Sequence, residues 1–205
     1  YTWILIRLLS TDSFSRGNLS LYSDMKIPVR IRALLIWNKI FYSKPKADSL
    51  VKISSGGKGV KSVLFLLPSE KKLAQVVSHF IKKTLNQDTI DVKFIVHENA
   101  LYYYNTILKS DTITFSDTDQ NWFGILEFDK IIQKVSNFNY NALVDLNRSI
   151  DQPLSLLCMR LDIPIKVGFS SPISKYLYNV VLDPSENSFL EDNYITIEKI
   201  LGLDQ

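Results

Sequence analysis

Three features of this 205-residue chain predict an α/β fold with a mainly parallel sheet. Short unbroken apolar runs recur through residues 60–205, and the segments between them carry apolar residues at helical spacing. Hydrophobic residues make up 46% and aromatics 12%, which is enough material to fill the space between layers. Strands that alternate with helices imply right-handed crossovers, with helices packed on both sheet faces. The expected architecture is a Rossmann-like three-layer sandwich, preceded by an N-terminal basic amphipathic helix.

The elements follow in chain order. Residues 1–24 open on Tyr1 rather than Met, are rich in Ser, Asp and Asn after Leu9, and read as a poorly ordered leader. Tyr1–Ser10 is short and lacks the charged start and small-residue cleavage site of a signal peptide. Residues 25–59 change character. From Pro28 to Tyr42 a broadly apolar helix is expected, with Trp37 and Phe41 on its apolar side and Arg30, Arg32 and Lys39 on its polar side. A Gly/Ser linker follows, Ser54-Ser55-Gly56-Gly57-Lys58-Gly59. Its glycines precede a strand where a phosphate loop would follow one, so it reads as a flexible connection.

Val63–Leu67 is a continuous apolar run, the pattern of a strand buried on both faces. Ser69–Leu85 reads as an amphipathic helix with Ser69 in the capping position. Strands at Val92–Val96 and Asp111–Phe115 alternate with helices at Ala100–Leu108 and Phe128–Val135. Then come a strand at Ala142–Leu146, a helix at Pro153–Leu161 and a strand at Ile165–Phe169. A short strand within Tyr176–Leu182 and a terminal helix at Ile195–Leu201 complete the 60–205 domain.

Charge is distributed unevenly. Lys and Arg number 24 against 21 acids, too small an excess to imply nucleic-acid binding. Between residues 26 and 52, however, seven cations (Lys26, Arg30, Arg32, Lys39, Lys44, Lys46, Lys52) face only Asp48, so a basic arm precedes a mildly acidic body. The single Cys158 cannot form an internal disulfide. With only His79 and His97 available, no metal site and no cofactor are expected. No apolar run reaches the ~20 residues that span a bilayer. A cytoplasmic location is expected, with peripheral attachment to the cytoplasmic face of a membrane as an option.

Asp145 is the residue that most needs explaining, because it ends an otherwise apolar strand and is followed at once by Asn147, Arg148 and Ser149. One reading places Asp145, Asn147 and Arg148, with Ser69 from the first strand's loop, in the ligand crevice at the carboxyl ends of the strands. The other makes them a capped turn, with Arg148 as a local ion partner. Glu70 likewise reads either as a general base or as a first-turn acid complementing the helix dipole. Trp122 and Phe123, followed by Gly124, form either an aromatic plug or an exposed partner site. The helix at Pro28–Tyr42 would lie at a membrane interface, pack on another protein, or cover its own domain, with Arg30, Arg32, Trp37, Lys39, Phe41 and Tyr42 as docking residues.

The run from Asp145-Leu146-Asn147-Arg148-Ser149, through the helix at Pro153–Leu161, to Ile165-Lys166-Val167-Gly168-Phe169 resembles the amino-terminal half of glycosyltransferase family 9, the heptosyltransferases. Tyr194–Leu203 resembles the segment that leads to that family's second domain. The resemblance covers residues 60–203 and implies half of a two-domain GT-B fold, with the donor-binding half expected to be absent. The family's glycine- and aspartate-bearing turn after the first strand is replaced here by Leu67-Pro68-Ser69-Glu70-Lys71. The expectation is therefore a non-catalytic binding or scaffolding subunit that docks on a larger membrane-associated protein assembly. The alternative is a glycosyltransferase moving a sugar from a nucleotide donor to a lipid-linked acceptor, with its donor half on another chain and with Glu70 and Asp145 as catalytic candidates. A nucleotide-binding regulatory domain is a third reading.

Overall fold

The computed structural model describes residues 60–84, 90–104, 112–120, 126, 128–136, 138–150, 152–183 and 190–202. The expected leader, basic helix and linker, with all six docking residues of that helix, lie outside the described residues. So do Trp122 and Phe123.

Six strands form one sheet: β1 (Ser62–Leu66), β2 (Asp91–His97), β3 (Thr112–Phe115), β4 (Ala142–Asp145), β5 (Ile165–Phe169) and β6 (Val180–Leu182). Their order is β3-β2-β1-β4-β5-β6, and every pair is parallel. This is the doubly wound, Rossmann-like order, in which the chain starts at the centre, winds to one edge, returns and winds to the other.

Helices cover both faces because the strands are apolar on both. In β1, Val63 and Phe65 face one core while Leu64 and Leu66 face the other, and all four are buried. The first core is closed by α1 (Lys71–Thr84), a 3-10 helix (Glu98–Tyr104) and, after the last strand, a long helix at Leu190–Leu201. The second is closed by α2 (Phe128–Ser136), α3 (Gln152–Arg160) and the one-turn α4 (Ser174–Leu177). With these named, the helix at Leu190–Leu201 is α5. An aromatic chain ties the first face together: Phe65 stacks on Phe94 at 5.9 Å, Phe80 meets Phe65 edge-on at 6.3 Å and stacks on Tyr194 at 4.8 Å. Such pairs contribute about 0.5–1.5 kcal/mol each beyond the area they bury.

Several boundaries differ from the sequence reading. Helix α1 starts at Lys71, and the Glu70 carbonyl accepts its first bond from the Ala74 N–H at 2.8 Å. The capping position therefore falls to Glu70 and not Ser69, and the first turn carries no acid. The helix expected from Ala100 is a 3-10 helix that begins at Glu98, tied at both ends. The His97 Nδ1 accepts from the Asn99 N–H at 3.2 Å, and the Tyr104 hydroxyl donates to the Pro68 carbonyl at 2.9 Å. The segment expected as one short strand divides into α4 and β6. Helix α5 begins five residues earlier than expected, and within it Tyr194 continues the buried stripe of Ile197 and Leu201.

Two asparagines clasp the amino ends of the strands. Asn141 Oδ1 accepts from the Lys61 and Ser62 N–H groups at 3.1 and 3.2 Å, tying β4 to β1. Asn179 Oδ1 accepts from Lys166 N at 2.7 Å, and its Nδ2 donates to the Pro164 carbonyl at 2.6 Å, tying β6 to β5. Lys166 itself donates from Nζ to the Cys158 carbonyl at 2.7 Å, capping the last turn of α3. Burial lowers its pKa, against the raising influence of Cys158 and Asp162. Among the described residues, no helix is long and apolar enough to cross a membrane.

Candidate functional site at the carboxyl ends of β1 and β4

Strand order reverses between β1 and β4, and in such sheets the two loops leaving the carboxyl ends diverge to opposite faces and open a crevice. Leu66 lies opposite Asp145, and the Leu146 N–H donates to the Leu66 carbonyl at 3.0 Å, so the two loops start side by side. One loop brings Ser69 and Glu70, both exposed, and then Lys71 and Lys72 at the start of α1. The other brings Asn147, Arg148 and Ser149. The structure thus gathers the sequence-derived crevice residues at one end of the sheet.

Asp145 does not face outward from that crevice. It is 1% exposed, and both oxygens are occupied. Oδ1 accepts from the Asn147 backbone N–H at 3.0 Å and from its Nδ2 at 2.7 Å. Oδ2 accepts from the Tyr178 hydroxyl at 2.5 Å, with the Cys158 thiol at 4.0 Å. Each of these partners is a donor, which suits the acceptor-only inventory of a carboxylate. Burying such a group is tolerable only when donors replace water in this way.

Gly168 belongs to the same knot. The Tyr178 ring lies flat against it, and a Cβ at position 168 would come within 2.4 Å of ring carbons. Only a residue without a side chain leaves room for the ring to reach Asp145. Nothing local in the sequence announces Tyr178 as the partner of Asp145, since 33 positions separate them. The one visible trace is a glycine inside a strand, where close approach by another group is a standing explanation.

Asn147 is buried, whereas Arg148 is exposed, with its guanidinium carbon 6.0 Å from the Phe169 ring centre. Among the described residues Arg148 has this aromatic contact and no ion pair, and the local acid Asp151 lies outside them. Glu70 is exposed while Asp145 is sealed beneath the sheet end, so the two carboxylates occupy different environments and do not form a facing acid/base pair.

The neighbouring strand ends have the opposite charge. Past β2 and β3, His97 Nε2 donates to Asp117 Oδ1 at 3.2 Å, and its ring meets Phe115 edge-on at 5.0 Å. The Asp119 carboxylate accepts from the Ser116 N–H at 2.8 Å and from its hydroxyl at 3.0 Å. His97 is therefore satisfied on both ring nitrogens, and His79 is exposed on α1. Among the described residues, no group of three or more His, Cys, Asp or Glu side chains could hold a metal.

The strand order and the parallel pairing define a doubly wound, Rossmann-like α/β domain. Compared with known protein families and with characterised proteins, the sequence matches none. The crystal structure of HAL3 from Cryptococcus neoformans is similar at 12% identity with a TM-score of 0.42, over 72% of this chain and 100% of that one. The class assignment rests on the strand order itself.

Proposed function

We propose that this chain is a non-catalytic binding or scaffolding subunit, built on a glycosyltransferase-like half-fold, that docks on a larger membrane-associated assembly. The observation that carries the reading is the fate of Asp145. A general base must reach the proton it removes, and this carboxylate is buried with both oxygens engaged by Asn147 and Tyr178. Docking is assigned to the basic segment with Arg30, Arg32, Trp37, Lys39, Phe41 and Tyr42, and to Trp122 and Phe123, on the strength of their charge and aromatic content.

The test has two arms. Purified chain supplied with nucleotide sugars and lipid-linked acceptors is expected to transfer no sugar. Membrane-bound partner protein is expected to co-purify with the chain, and to be lost on replacing Arg30, Arg32 and Lys39 together by Gln. Sugar transfer abolished by Glu70→Gln would overturn the proposal. One observation favours the glycosyltransferase alternative: Glu70 is exposed beside the crevice, where a base for an acceptor hydroxyl could stand. Under that reading a nucleotide sugar is the ligand and the donor half lies on another chain.

A further inference from the structure

We infer that the turn after β4 carries a binding site for the phosphate or diphosphate group of a small molecule, with Arg148 as its principal cation. The inference rests on the binding-domain reading above and names the ligand class of that same crevice.

An exposed arginine is ordinarily a solvated charge, so the argument starts from what holds this one. Asp145 takes both the backbone and the side-chain amide of Asn147, and Asn147 is itself buried. Arg148 is the next residue. Its backbone leaves a turn that is already fixed, and its guanidinium lies over the Phe169 ring. A cation positioned in this way loses little further freedom when a ligand arrives, so less of the interaction is spent on ordering. Among the described residues no carboxylate pairs with Arg148.

The surroundings select the ligand's charge. The loops leaving β1, β4 and β5 add Lys71 and Lys72, with hydroxyls at Ser69, Ser149 and Ser170, against the acids Glu70 and, three residues beyond Arg148 in the sequence, Asp151. The ends of β2 and β3 present Glu98, Asp117 and Asp119 instead. One end of the sheet is thus electrically divided, and an anion is drawn to the β1/β4 half. Three cations against two acids, a planar guanidinium with its fork of donors and several hydroxyls suit a tetrahedral oxyanion, which the fork can grip at two oxygens while the hydroxyls reach the others.

Calorimetric titration of the full chain with inorganic pyrophosphate tests this directly, with a nucleoside diphosphate as second probe. Binding is expected for pyrophosphate, weakening steeply as salt is raised. Arg148→Gln is expected to reduce affinity at least about tenfold, and Arg148→Lys to retain part of it, since lysine keeps the charge and loses the fork. Thermal unfolding of both variants should match the parent, because the side chain is exposed. Unchanged pyrophosphate affinity in Arg148→Gln, or no pyrophosphate binding by the parent at millimolar concentration, overturns the site. Sugar transfer would sink the non-catalytic reading while leaving the anion site standing. Failure to bind pyrophosphate would do the reverse.

Discussion

The carboxylate of Asp145 draws donors from three separate segments: the turn after β4, helix α3, and Tyr178 ahead of β6. One side chain thereby sets the crevice turn, the α3 contact and the position of the last strand. The sequence shows the polar residue and its turn, and the Asx pattern from Asp145 to Asn147 is legible from spacing alone. It does not show the Tyr178 hydroxyl, which arrives through the crossover. Gly168 records that arrival, because the tyrosine ring occupies the space a methyl would need. Gly168→Ala should therefore destabilise the fold by about 1–3 kcal/mol. In a Tyr178→Ala background the same substitution should cost far less, as contacting residues are coupled. Urea unfolding of the parent, both single variants and the double variant measures that coupling, and simple additivity would mean that the ring does not set the glycine.

Between elements, the tie from Tyr104 to the Pro68 carbonyl fastens the 3-10 helix to the loop after β1. Burial, and then the neighbouring Tyr194, push the Tyr104 pKa well above the ordinary tyrosine value. The folded state therefore keeps this proton at pH values where the unfolded chain releases it. The contribution is complete below about pH 10, the unfolded value, and is lost as pH rises from there towards the folded one. Tyr104→Phe should lower stability by about 1 kcal/mol at neutral pH through the lost hydrogen bond. It should also flatten the fall in stability above pH ~10, as read from urea midpoints along a pH series. Lys166 acts in the opposite sense: its pKa is lowered in the fold, so its share of stability grows as pH rises through that lowered value towards the unfolded one. Element types were largely readable because the central strands β1 and β4 are compact apolar runs and the others carry apolar residues at strand spacing. The 3-10 winding and the start of α1 were not, since both depend on backbone partners supplied by other segments.

Across the whole molecule, the two cores meet only through the sheet, and the ends of the described domain are joined. The Val60 N–H donates to the Leu201 carbonyl at 3.0 Å, while Tyr194, Ile197 and Leu201 of α5 cover the same face as α1. A chain truncated after Asp183 would leave that face uncovered. It should bind a hydrophobic dye, lose its near-ultraviolet dichroism and unfold without a sharp transition; a cooperative, dye-free truncation would show that α5 is dispensable to the core. The same scale decides the crevice, since its charge division comes from which loops the strand order brings together.

By itself the sequence determined the layers: apolar runs bury strands on both faces and amphipathic stretches cover them, because burial follows local pattern. It also marked Asp145, Asn147 and Arg148 as one polar turn. Only the tertiary structure decided what that turn does. Pairing β1 with β4 and carrying Tyr178 back across Gly168 turns Asp145 inward and leaves Arg148 outside, since hydrogen-bond partners distant in the chain choose which polar group is buried.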